Sequence, residues 1–197
     1  MRSAFDKLIS WTGLLLAVVL LVVGGLLTWA NSFIGDQVHG QLTDQGITMP
    51  SGAALEDLPK ADKAALEKYA DSPLDTGAEA KAFADHYILA HMNAASDGRT
   101  YEEVSGEYTQ MSAEEKASAD GQALAGLRQT LFMGNTLRGL LLYGYAFATI
   151  GTIAGIAAIG AYVGGVIFLV LAGIGFGHAR KVKLAERGPA RPLSVTV

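Results

Sequence analysis

The chain contains no cysteine, which excludes disulfide cross-links, thiol nucleophiles and thiolate metal sites. Histidine is scarce, at four residues. His86 and His91 fall on one predicted helix, but five residues apart they diverge by about 140° around its axis and do not form an i/i+4 metal pair. His39 lies in an irregular stretch, and no spacing joins it to them. Charge is missing altogether from residues 9–35 and 139–177, and with it the usual mark of a proton or ion pathway. There is no Gly-rich phosphate loop, zinc-protease pattern or nucleophile elbow. Nor is there a basic patch interleaved with aromatics, as nucleic-acid binding requires. Met111 and Met133 are read as packing residues rather than haem ligands. These absences predict no catalytic, cofactor-binding or metal-ligating residue, and a protein that is not an enzyme.

Half of the 197 residues are apolar, and they gather in two blocks separated by a polar stretch, which is a membrane pattern. The net charge of −4 divides unevenly. Residues 1–34 carry Arg2 and Lys7 against Asp6; residues 35–138 carry 8 basic and 17 acidic groups; the tail from His178 carries Arg180, Lys181, Lys183, Arg187 and Arg191 against Glu186. Basic residues flanking a span tend to stay inside, so both termini are expected in the cytoplasm and the number of spans is expected to be even. Trp11 and Trp29 bracket the first apolar run, about 27 Å apart along a helix, close to the thickness of a bilayer core. Residues 10–33 are therefore predicted to span after a short cytoplasmic segment, residues 1–9. The apolar core is long for a secretory signal, and Thr28-Trp29-Ala30 is a poor cleavage site, so the segment is expected to be retained as an anchor.

The second block, 139–177, would measure about 58 Å as one helix, nearly twice a bilayer core. Two crossings would put the basic tail outside. We therefore expect the span at 155–177, a surface helix at 136–154 leading into it, and a basic cytoplasmic tail at 178–197. Small residues four apart, Gly151/Gly155, Gly160/Gly164 and Gly173/Gly177, allow close helix approach and are predicted to form the helix-packing interface. The first span, with Gly24 and Gly25 among Leu and Val, is expected to face lipid. Trp11, Trp29, His178, Arg180 and Lys181 are the expected membrane anchors, with anionic headgroups around the basic cluster.

Residues 34–135 are expected to form a small helical, acidic domain outside the membrane. Lys60–Tyr69 is a predicted helix bounded by Pro59 and Pro73. Thr76/Glu79, Thr100/Glu103 and Ser112/Glu115 are capping-box pairs, the first opening a helix to about Ala95. Phe83, Tyr87, Ala90 and Ala94 form one predicted core stripe, and Leu124, Leu127 and Leu131 another. Residues 35–59 show little periodicity and are expected to be extended. Asp36, Asp44, Glu56 and Asp57 there form a solvated face, or else meet a cationic partner protein. Gly134-Asn135 is expected to punctuate the chain before the last long helix starts at Thr136. The fold class is thus an all-α integral membrane protein, with two transmembrane helices and a small helical extracytoplasmic domain between them.

Two stretches, Phe83-Ala84-Asp85-His86-Tyr87-Ile88 and Thr136-Leu137-Arg138-Gly139-Leu140-Leu141-Leu142-Tyr143-Gly144-Tyr145-Ala146-Phe147, resemble a family of actinobacterial membrane proteins. The basic exit at His178–Lys181 fits it too. That family includes the prokaryotic respiratory supercomplex association factor, a small subunit found with the mycobacterial cytochrome bcc complex and cytochrome c oxidase. The resemblance implies a non-catalytic accessory subunit of a plasma-membrane respiratory supercomplex, with those two complexes and membrane lipids as partners. The alternative is a membrane-anchored sensor or binding module. Members of the family are often labelled ring-opening dioxygenases, but extradiol chemistry wants two His and a carboxylate around Fe(II), and the His86/His91 spacing does not supply them.

Overall fold

The computed structural model describes residues 2–186. The expected tail positions Arg187 and Arg191 lie outside the described residues, as do the side chains of Arg2 and Glu186. Every regular element among the described residues is helical. In order they are α1 (Arg2–Thr43), a 3-10 turn (Gly52–Leu55), α2 (Lys60–Glu67), α3 (Gly77–Ala82), a π-helix (Phe83–Ile88), α4 (Leu89–Ser96), α5 (Tyr101–Gln110), α6 (Ala113–Ala117) and α7 (Ala119–Glu186). Two helices are long and apolar enough to cross a membrane, within residues 4–43 and 119–184. Few residues of their most apolar windows are buried, unlike the core helix of a soluble domain, so the Leu, Ile and Val side chains of these helices need an apolar surrounding from elsewhere.

The chain divides into two compact units, residues 1–31 with 152–197, and residues 32–151. In the first, α1 and α7 pack antiparallel. Gly13 faces Ala172, Leu20 reaches Gly164, Tyr162 covers Gly24, and Asn31 reaches Gly155. Within this unit the buried positions on α1 are Ser10, Ala17 and Gly24, continued by half-buried Asn31; on α7 they include Ala158, Gly165, Ala172 and Ala179. Each series advances by seven residues. A seven-residue repeat keeps one seam facing the partner around a left-handed supercoil, and small residues at the seam let the backbones approach. The Ser10 hydroxyl in this seam donates to the Asp6 carbonyl at 2.7 Å, so its burial leaves no unpaired group.

The second unit has two cores. The first joins Leu42, Met49, Leu55, Leu66, Leu74, Ala80, Ala84 and Leu141; the second joins Met92, Val104, Leu124 and Leu131. The chain segments around Met49 and Ser72 pair back to back, with Met49 N–H donating to Ser72 O at 2.8 Å and Leu74 N–H to Ile47 O at 2.9 Å. All three capping boxes are present, with Thr76, Thr100 and Ser112 each accepting from the backbone three residues on and each Glu reaching back to the cap. At the end of α4, Asp97 and Gly98 turn the chain through left-handed conformations, φ 56° and 77°, where glycine carries no Cβ penalty.

Four expectations are corrected here. Residues 35–43 are helical rather than extended, because Val38 and Leu42 continue one face of α1 into the first core. Gly134-Asn135 does not interrupt α7. The Met92 thioether lies where a Gly134 side chain would be, so the glycine serves a close approach within a continuous helix. The predicted helix 76–95 contains the π-turn, which rotates its continuation so that Met92 and Ser96 are buried and Ala94 is exposed. Gly24 is buried under the Tyr162 ring rather than facing lipid, whereas Gly25 is open. The residues of the expected surface helix at 136–154 and of the expected span at 155–177 share α7 without a break.

Candidate functional site

The two stretches that carry the family resemblance meet in the second unit. Phe83–Ile88 is the π-helix, a rare form, and Leu89 N–H closes its ladder on Ala84 O, five residues back. Arg138 of α7 clamps this turn. Its Nε donates to Ala84 O at 3.0 Å and its Nη2 to Asp85 Oδ1 at 2.8 Å. Lys81 pairs with the other carboxylate oxygen of Asp85. Burial opposes ionisation of Asp85, but hydrogen bonds from Lys81 and Arg138 outweigh it and hold the carboxyl below its ordinary value.

Two neighbouring groups fix the same region. His86 Nδ1 lies 2.7 Å from Asp62 Oδ1, tying the π-helix to α2. Glu79, nearly buried, opens α3. Burial pushes its carboxyl up, yet donors from the Thr76 hydroxyl, the Asp75 and Thr76 backbone and the Ser72 hydroxyl together hold it below the ordinary value. Gly77 sits so close to α7 that an added Cβ would strike the Ala148 side chain and lie 3.2 Å from Tyr145 Cα.

A cavity of about 480 Å³ opens beside this clamp, within the same unit. Its walls come from the end of α1, the π-helix and α7 between Leu137 and Phe147. Phe83 and Ile88 both line it. Residues five apart on an α-helix diverge by about 140°, whereas an i→i+5 ladder brings them toward one side. Among the described residues, the polar side chains in the lining besides the Tyr143 phenol are Gln37 and Gln41, on one face of α1, and Gln45, in the turn that follows it. Among the described residues no charged side chain lines it.

The other predicted positions are distributed as follows. His91 Nδ1 contacts Tyr87 O at 2.8 Å, His39 lies 3.7 Å from Asp75, and neither approaches His86 to share a ligand. Among the described residues no group of three or more His, Asp or Glu could hold a metal ion. Asp36, Asp44, Glu56 and Asp57 are exposed. Of the paired glycines, Gly155 and Gly164 contact α1, while Gly160, Gly173 and Gly177 have no atom within 4 Å of an added Cβ. Gly151 is buried in the second unit. Trp11 stacks edge-on against Phe176 at 5.6 Å, and His178 Nε2 lies 4.0 Å from Asp6 Oδ2. Trp29, Arg180 and Lys181 are exposed.

Spacing by four reached Gly155 and Gly164, which contact α1, but not the seven-residue period of the seam. The signal that finds it is the recurrence of small residues every seven positions on both helices. The π-helix and its Arg138 clamp had no local signal, because the contact joins residues more than fifty apart in the chain. Compared with family models, with curated proteins and with solved structures, the chain finds no match.

Proposed function

We propose that the protein is a non-catalytic accessory subunit that stabilises or bridges a respiratory-chain supercomplex of cytochrome bcc with cytochrome c oxidase in the plasma membrane. In this reading α1 and α7 cross the membrane, both termini are cytoplasmic, and residues 34–154 lie mainly outside. The observation that carries the reading is the set of open glycines along α7. Gly155 and Gly164 are used by α1, whereas Gly160, Gly173 and Gly177 are left free for another helix. Further support comes from the convergence of the two resembling stretches on the Arg138 clamp, and from the antiparallel packing, which sets residues 6–11 beside residues 175–178. The Arg180 and Lys181 side chains suit anionic headgroups at that end.

The test is native purification through a tag on this chain. Cytochromes, seen by their haem spectra, are expected to accompany the wild-type protein and to be lost from Gly160→Leu, a substitution into open space that leaves the α1–α7 seam alone. A colourless preparation, or equal haem from both proteins, contradicts the proposal. The cavity favours a second reading, a membrane-anchored binding module, which predicts that colourless result.

A further inference from the structure

We infer that the cavity beside the π-helix binds one uncharged, polar-headed membrane lipid of the diacylglycerol type. Its volume of about 480 Å³ falls within the range of small-molecule sites, which runs from about 300 to 1,000 Å³. The walls set by Phe33, Phe83, Ile88, Leu140 and Phe147 are apolar and suit hydrocarbon.

The polar part of the lining is a row of three glutamine amides. Gln41 Nε2 donates to Gln37 Oε1, and Gln45 Nε2 donates to the Gln41 backbone carbonyl, both at 3.5 Å, the long limit for a hydrogen bond. Each amide has two donors and an acceptor oxygen. The Gln37 side-chain amino group and the Gln41 and Gln45 Oε1 atoms therefore retain capacity for a ligand. Hydroxyls and ester carbonyls match such amides, because the first can donate and both can accept.

Charge decides the class of headgroup. Among the described residues no Lys, Arg or His lines the cavity to neutralise a phosphate or carboxylate, and no Asp or Glu lines it to meet an ammonium. A charged headgroup brought here would lose hydration without a counter-charge. The surroundings decide for a lipid over a water-soluble ligand. Leu140, Tyr143 and Phe147 of the lining are each more than half exposed, and they belong to the charge-free run that begins at Gly139. The rim is thus itself apolar, and a ligand that arrives through an apolar phase meets no polar barrier.

The π-helix gives the site its shape. It brings Phe83 and Ile88 to the same cavity, and Arg138 holds the turn from the α7 wall. Irregular helical turns of this kind are frequent at functional sites.

Native mass spectrometry of the full chain released from detergent tests the inference, with dioleoylglycerol and dioleoylphosphatidylglycerol titrated separately. Dioleoylglycerol is expected to saturate at one molecule per chain and to bind at least tenfold more tightly than the anionic lipid. Gln41→Leu keeps the volume but removes an amide, and is expected to weaken binding roughly five- to tenfold, the loss of one hydrogen bond. Leu140→Trp fills the cavity from an exposed position and is expected to abolish binding. Its helix content by circular dichroism shows whether it has folded, and Gln41→Leu decides if it has not. Equal retention of the two lipids, adducts that pass one per chain without saturating, or unaltered binding by Gln41→Leu overturns the inference.

Discussion

Arg138 illustrates how one side chain sets local backbone geometry from a distance. Its planar fork serves the Ala84 carbonyl and the Asp85 carboxylate at once, a pairing that a lysine ammonium does not reproduce. Arg138→Lys is therefore expected to destabilise the second unit by about 1–3 kcal/mol, read as a lowered midpoint in denaturant melts of the full chain. A midpoint unchanged from wild type would show that the clamp contributes nothing. Glu79 gives a prediction in pH. Its carboxyl is held below the ordinary glutamate value of 4.5, so the folded state favours the ionised form. The resulting stability is present above that value and is lost as pH falls through the lower, folded value. Glu79→Gln is expected to cost about 1–2 kcal/mol at neutral pH, with the difference from wild type shrinking below about pH 4.5. A difference independent of pH would contradict this account of the cap.

At the level of elements, local signals were legible and tertiary ones were not. Thr76/Glu79, Thr100/Glu103 and Ser112/Glu115 announce helix starts because a capping box is closed within four residues. The stripe of Leu124, Leu127 and Leu131 was legible for a similar reason, since helical periodicity depends on near neighbours. Gly134-Asn135 resembled a stop because its local propensity is poor, yet packing against Met92 overrides propensity. The π-helix escaped because an extra residue in a turn is stabilised here by Arg138, which the local sequence does not contain. The α1–α7 seam offers a sharp test. A Cβ on Gly13 would lie 3.6 Å from that of Ala172, within the span of a disulfide, and there is no native cysteine to compete. The double variant Gly13→Cys/Ala172→Cys is expected to cross-link within one chain under mild oxidation. Adding Gly165→Leu, which drives a side chain into Leu21, is expected to reduce that cross-link strongly. Failure of the parent pair to cross-link would refute the seam.

On the scale of the whole molecule, two helices can cross a membrane, and the polar residues between them fold together with parts of both. The ionisable groups have a simple distribution: residues 35–138 hold 17 acidic against 8 basic groups, and both flanking regions are net basic. The positive-inside tendency predicts an orientation from that distribution. Because cysteine is absent from the native chain, single substitutions Lys7→Cys, Glu102→Cys and Lys183→Cys at exposed positions can each be labelled in intact cells with a membrane-impermeant maleimide. Labelling of Glu102→Cys alone, with Lys7→Cys and Lys183→Cys reacting only after the membrane is opened, is the predicted result. Labelling of either terminal position from outside the intact cell would contradict a membrane hairpin with both ends in the cytoplasm.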